Sequence, residues 1–302
     1  MNPNDPCVCG SGERYGRCHR PLHRTPPSRF LEAARKFYVR RWVVNASRHS
    51  RLGHYGWMLD QIEGPVRRVV DIGPGDASGM VEILRRHSPE LALGIEENPE
   101  CAKRARTRLK GSGRPVADVV RMRVREVGDG SADHRLEFED VELPSSDVGI
   151  VVTDLLFDHD LGRQLRRVGP FDLVTVWLVG SHEARAHCLD LRELGHMTAA
   201  RYRLHVQNAA YELADVILRP GGCLQIVDRL LAQDCEITVA ELRTSHEEQA
   251  SPTSLEISSI DLLPYRGDGK GGIQMLRRDE GQGTPTGAEA DMFLASVVSV
   301  RR

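Results

Sequence analysis

The sequence predicts an α/β protein built on a mostly parallel sheet with helices on both faces. Three observations carry this. Val69 to Gly79 reads Val-Val-Asp-Ile-Gly-Pro-Gly-Asp-Ala-Ser-Gly, an apolar run that ends in an acid and a Gly-x-Gly turn, and Met80 to His87 continues it with apolar residues at helical spacing. Further apolar runs alternate with helical patterns as far as residue 228. Those runs are apolar throughout rather than at every second position, as strands buried on both faces require.

Taken in order, Val69 to Ile72 is the first strand and Leu91 to Ile95 the second, ending in Glu96 and Glu97, with a helix from Pro99 to Leu109. Gly149 to Leu156 and Phe171 to Val179 are two more strands. Ala199 to Leu218 is a long helix, closed by Arg219-Pro220-Gly221-Gly222 before a fifth strand at Cys223 to Asp228. Residues 112–147 exceed an ordinary connection and suggest an inserted β-hairpin, with Val119 to Val127 and Leu136 to Leu143 around Gly128-Asp129-Gly130. In the tail, Leu255 to Leu262 alternates, Gly267 to Gly272 is a turn, residues 279–288 form an exposed loop and Met292 to Val300 is a last strand.

Composition sets wide bounds. The 302 residues are 40% hydrophobic and 28% charged, with a net charge of −2, as in an ordinary soluble protein. No run reaches the roughly 18 apolar residues that would span a bilayer, and the N-terminus has no apolar segment, so a membrane role is excluded and the cytoplasm is expected. The first 50 residues hold ten Lys/Arg against three Asp/Glu. Cys101, Cys188, Cys223 and Cys235 are scattered and read as reduced, mostly buried thiols.

Cys7, Cys9 and Cys18 crowd into the first 18 residues, next to His19. Cys7 and Cys9 share a face of an extended segment, Gly10 and Gly12 allow a tight return, and Cys18-His19 supplies a second pair. Three thiolates and an imidazole suit a tetrahedral Zn²⁺, which would supply most of the folding energy of so short a segment. The pattern Asp5-Pro6-Cys7-x-Cys9-Gly10-Ser11-Gly12, Tyr15 and Cys18-His19 resembles the SEC-C zinc motif found at the C-terminus of the SecA translocation ATPase. Val8 stands where the family usually has proline and Gly16 where it is usually basic, and neither is a ligand. The resemblance implies a protein or ribosome contact rather than a catalytic metal.

His19 to Ser28 has three prolines and no periodicity and reads as a linker. From Arg29 to Val44, aromatic and basic residues interleave, either as a helix packed on the main domain or, together with the rest of 29–51, as a surface for RNA or the ribosome. His49 and His54 are expected to face solvent, and Met58 to Ile62 to be helical. Three regions result: a zinc knuckle over 1–22, a linker with N-terminal helices over 23–64, and a main domain over 65–302.

The main domain carries the chemistry. Gly73 and Gly75 let a ligand approach the backbone. Asp71 and Asp76 put negative charge beside that turn, which disfavours a pyrophosphate and favours a cation such as S-adenosylmethionine. Glu96, 25 residues after Asp71, is placed to reach ribose hydroxyls, with Glu97 as the fallback. The ordered set Val70-Asp71-Ile72-Gly73-Pro74-Gly75-Asp76, Gly94-Ile95-Glu96, Phe171-Asp172-Leu173-Val174 and Leu218-Arg219-Pro220-Gly221-Gly222 resembles the class I S-adenosylmethionine-dependent methyltransferases. The resemblance implies their Rossmann-like fold, with a mostly parallel seven-stranded sheet that ends in an antiparallel strand pair. It also implies site roles: Asp71, Gly73 and Gly75, beside Asp76, for the methionyl part, Glu96 for the ribose, and the end of the third strand for the adenine. Asp154 with Leu155 is favoured at that end, and Asp129 is the rival.

The segment after the fourth strand, Trp177 to Glu183, lacks the Asn/Asp-Pro-Pro-Tyr/Phe signature of methylation on bases or glutamine, and no Cys pair suggests methylation at carbon-5 of RNA. His182 and Glu183 are acid/base candidates, although a structural helix start explains both, and Trp177 reads as core. The expected activity is methyl transfer to a protein or ribosomal substrate. The alternatives are a non-catalytic adaptor and a small-molecule methyltransferase with a structural zinc head.

Overall fold

The structure is a computed structural model that describes residues 1–9, 11–128, 130–265, 270–273 and 291–302. Among them are nine helices: α1 (Arg20–His23), α2 (Pro27–Arg51), α3 (His54–Asp60), α4 (Ser78–His87), α5 (Pro99–Lys110), α6 (Leu161–Val168), α7 (Leu189–Glu193), α8 (Ala199–Ile217) and α9 (Cys235–Ala250). A 3-10 turn spans Glu183–His187. The strands are β1 (Arg68–Ile72), β2 (Leu91–Glu96), β3 (Val116–Val120), β4 (Met122–Glu126), β5 (His134–Phe138), β6 (Asp147–Val152), β7 (Phe171–Trp177), β8 (Leu218–Ala232), β9 (Leu255–Pro264) and β10 (Asp291–Arg301).

Eight strands form one sheet in the order β3-β6-β2-β1-β7-β8-β10-β9. The first six are mutually parallel, and β10 runs antiparallel between β8 and β9. This is the Rossmann-like arrangement read from the sequence, with β3 as one strand more than the expected seven. All six residues of β2 are buried, as are four of the five in β1, because helices cover both faces. Val69 and Ala92 face a core shared with α2 to α5, while Val70, Leu91 and Leu93 face a core shared with α6, α8 and α9. β4 and β5 pair as a separate hairpin.

A buried glutamine ties the layers together. Gln225 on β8 accepts from Trp177 Nε1 at 2.9 Å and donates to the Met58 carbonyl at 2.7 Å and to Ser296 Oγ at 2.9 Å, joining β7, α3 and β10. Trp177 is core, as the sequence suggested.

Two readings of the N-terminal region are corrected. The prolines taken for a linker start helices instead: they sit in the first turns of α1 and α2, where a missing N–H costs nothing. His49 and His54 are buried, at 0% and 6% exposure. Their Nδ1 atoms are 2.8 Å apart, and His49 stacks on Tyr265 at 5.6 Å, so the corner between α2 and α3 closes over both rings. Burial pushes His49 down to about 3. Of the scattered cysteines, Cys101, Cys188 and Cys223 are buried and Cys235 is exposed. Gly10, Asp129 and residues 279–288 lie outside the described residues, as does the first half of the turn expected at Gly267 to Gly272. No helix among the described residues is long and apolar enough to cross a membrane.

Candidate functional site

A crevice opens at the C-terminal ends of β1, β2, β6 and β7, where parallel sheets of this kind bind ligands. Two of the four non-glycine residues with positive φ among the described residues stand beside it, next to two such glycines. Gly73 (φ +70°) and Gly75 (φ +59°) turn the chain out of β1, and Ala77 (φ +61°) caps α4 in the left-handed region. Leu178, which ends β7 and lines the crevice, has φ +59°. Two non-glycine residues in that region cost of order 1–3 kcal/mol each, and such strain gathers at ligand sites.

Of the residues singled out in the sequence, Gly73, Gly75, Glu96, Asp154 and Leu155 line the crevice together, as does Glu97. Glu96 stands at its centre. Its Oε2 accepts from the Gly75 backbone N–H and its Oε1 from that of Asn98, each at 2.9 Å, so the end of β2 is bonded to the glycine turn. Burial, with the neighbouring Glu97, raises Glu96 to about 8 against the pull of those two N–H groups. Glu97 is half-buried, and His182 Nε2 at 3.0 Å and Arg185 Nη1 at 4.0 Å outweigh the desolvation and bring it down to about 2. Asp154 accepts from Arg185 Nη1 at 2.5 Å and from the Leu156 N–H at 2.9 Å, while burial raises it.

Asp71 and Asp76 stand one layer back. Asp71 is buried, accepts from Thr175 Oγ1 at 2.7 Å, and is raised by burial to about 7. Asp76 pairs with Arg108 at 2.6 Å and accepts from the Ser78 N–H. The carboxyl groups at the crevice wall are thus Glu96, Glu97 and Asp154, with the Arg185 guanidinium behind two of them.

Sequence reading missed the aromatic closure. Tyr38 and Trp42, four residues apart on one face of α2, line the crevice with Tyr202 of α8. The indole edge of Trp42 lies where a side chain on Gly75 would stand, 2.1 Å from an ideal Cβ, and its buried Nε1–H has no partner. The sequence offered α2 as a helix packed on the main domain, but not that its aromatic face would close this crevice. Arg185 was also missed. Its side chain is 4% exposed and it packs over the Tyr202 ring at 5.3 Å.

The four metal candidates converge. The donor atoms of Cys7, Cys9, Cys18 and His19 all lie within 4.8 Å of one another. His19 Nδ1 is 3.1 Å from Cys7 Sγ and 3.2 Å from Cys18 Sγ, and Cys9 and Cys18 Sγ are 3.5 Å apart. Burial pushes Cys18 up to about 12, whereas at Cys9 hydrogen bonds from Ser11 and the charge of Arg41 overcome burial and bring the thiol to about 6. Three sulfurs and one imidazole, mostly buried and this close, fit a closed tetrahedral zinc site. The two acid/base candidates point different ways: His182 to Glu97 at the crevice, Glu183 to His19 Nε2 at 2.6 Å.

Residues 4–21 match the SEC-C motif. No curated protein sequence matches the chain significantly. Among solved structures it resembles TrmN from Thermus thermophilus (12% identity, covering 82% of this chain and 48% of that one, TM-score 0.43). It also resembles TYW2 from M. jannaschii in complex with AdoMet (11%, 83% and 76%, 0.41) and residues 942–1257 of StiE O-MT (14%, 68% and 51%, 0.39). The chain spans about half the length of TrmN and of the StiE fragment. A likeness this distant assigns no activity to it.

Proposed function

We propose that this chain is an S-adenosylmethionine-dependent methyltransferase whose zinc knuckle directs it to a protein or ribosome-associated acceptor. One observation carries the reading: Glu96, at the end of β2, is bonded to Gly75 in a left-handed glycine turn, inside a crevice walled by three carboxyl groups. With those carboxyl groups ionised, a sulfonium with a free amino group is attracted there and a pyrophosphate is not.

When bound, S-adenosylmethionine supplies an activated methyl group on a cationic sulfur. The chain's own residues then hold and orient it. Gly73 and Gly75 take the methionyl part, with Asp71 and Asp76 bracing the turn from behind. Glu96, with lone pairs to spare on both oxygens, takes the ribose hydroxyls. Asp154 and Leu155 flank the adenine. Tyr38, Trp42 and Tyr202 exclude water and fix the line of approach, and positioning of this kind supplies up to roughly 7–11 kcal/mol in a displacement. The knuckle would take one Zn²⁺ on Cys7, Cys9, Cys18 and His19. Exposed Arg29, Lys36 and Arg40 on α2, beside Lys103 and Arg104 on α5, give an RNA-containing acceptor a basic face.

A second reading, a non-catalytic adaptor, is favoured by Trp42 closing over Gly75. Calorimetric titration with S-adenosylmethionine separates the two. Binding supports the enzyme, and no heat at millimolar concentration leaves the adaptor. Mass spectrometry of ribosomes and proteins from cells with and without the chain, read for a 14-dalton difference, then identifies the acceptor.

A further inference from the structure

The knuckle is bonded into the wall of the crevice. His19 turns Nδ1 toward the cysteine sulfurs and Nε2 toward Glu183, 2.6 Å away. Its ring meets Phe37 of α2 edge-on at 4.7 Å. Leu22 of α1, Ala34 of α2 and Ala184 of the 3-10 turn form a small core there, to which Phe30 and Phe37 pack. Glu183 opens that turn. Its neighbours His182 and Arg185 hold Glu97 and Asp154, and both carboxylates line the crevice. On the α2 side, Tyr38 follows Phe37 directly and also lines the crevice.

A metal-bound imidazole whose second nitrogen is held by a carboxylate is fixed in tautomer and orientation, and that carboxylate in turn gains a fixed partner. A knuckle of some fifteen residues has too little core to order itself without its metal. Its ordering therefore decides whether Glu183 has an anchor. We propose that zinc in the knuckle fastens the crevice, and that Glu183 is the positioning residue that transmits the fastening through His182 and Arg185 to Glu97 and Asp154. The role assigned to the cofactor rests on the methyltransferase reading, and the ordering of the crevice does not.

The test uses the full chain, zinc-loaded and stripped by chelator. Amide hydrogen exchange in peptides covering 153–157 and 178–188 should quicken at least tenfold on stripping, while β8 and β10 keep their protection. Unchanged exchange at 178–188 overturns the proposal. So does loss of protection throughout the sheet, because the metal would then hold the whole fold. Glu183→Ala should hold zinc about 10–100-fold more weakly in competition with a chromogenic chelator, and Glu183→Gln, which keeps an acceptor oxygen, should recover most of that. Wild-type zinc affinity in Glu183→Ala removes Glu183 from the scheme. S-adenosylmethionine should bind the stripped chain about tenfold more weakly, as when the ordered crevice falls to a tenth of the population. Equal binding with and without zinc overturns the link to the cofactor. If exchange responds to zinc but neither form binds S-adenosylmethionine, the fastening stands and the methyltransferase reading falls.

Discussion

Gly75→Ala tests the contact between α2 and the glycine turn. An alanine Cβ there would stand 2.1 Å from Trp42 Nε1, 2.7 Å from Cδ1 and 2.9 Å from Cε2, at a backbone φ of +59°. The left-handed conformation alone costs about 1–2 kcal/mol for a side chain with a Cβ. The overlap with a buried ring adds about 1–3 kcal/mol, the range for overpacked cores. Gly64→Ala is the control, since Gly64 has φ +79° and nothing within 4 Å of its ideal Cβ. It should lose only the conformational share. Urea unfolding of both variants should therefore place Gly75→Ala below Gly64→Ala by about 1–3 kcal/mol. Trp42→Ala removes the ring, so the Gly75→Ala/Trp42→Ala pair should be less destabilised than the sum of its parts, by at least ~1 kcal/mol. Strict additivity, or equal losses in the two glycine variants, would refute the packing of Trp42 on the turn, and with it the account of how α2 closes the crevice.

Other outcomes follow from the same geometry. Ionised Glu96 is the form that accepts ribose hydroxyls, and its value in the free protein is about 8. S-adenosylmethionine affinity should accordingly rise about tenfold per unit up to pH 8 and then level, with close to one proton released on binding at pH 7, read by calorimetry in buffers of different ionisation enthalpy. His49 and His246 are held near 3 and 4 in the fold against 6.5. The unfolded chain binds more protons below pH 6.5, so acidification through that window should lower stability, and His49→Phe should flatten the slope of a urea midpoint against pH. Arg185→Ala leaves buried Asp154 without its cation, while Glu97 keeps His182, and should cost about 3–5 kcal/mol in the same assay. Metal analysis should find one zinc per parent chain and none in Cys7→Ser/Cys9→Ser.

β1, β2, β6 and β7 were legible because burial on both faces leaves mostly apolar side chains between one turn and the next. The cysteine spacing was legible for a different reason: four ligands within thirteen residues need no tertiary information. The contacts that shape the crevice were not of this kind. Tyr38 and Trp42 are an aromatic stripe like any core-facing stripe until α2 is laid across Gly75. Glu183 reads as the start of a helical turn, and only the fold brings it to His19. His49 and His54 illustrate the same limit from the other side. Polar residues in a basic helix look solvated, yet one corner buries both imidazoles against Tyr265.

The position of β10 has a consequence for synthesis. This strand pairs with β8 on one side and β9 on the other, although both precede it in the chain. A nascent polypeptide that has not yet emerged past residue 291 displays two unsatisfied ladders of amides and carbonyls, each a template for a stray strand from another molecule. Aggregation of ribosome-bound intermediates should begin at that gap, and a free peptide of residues 291–301 added in trans should suppress it.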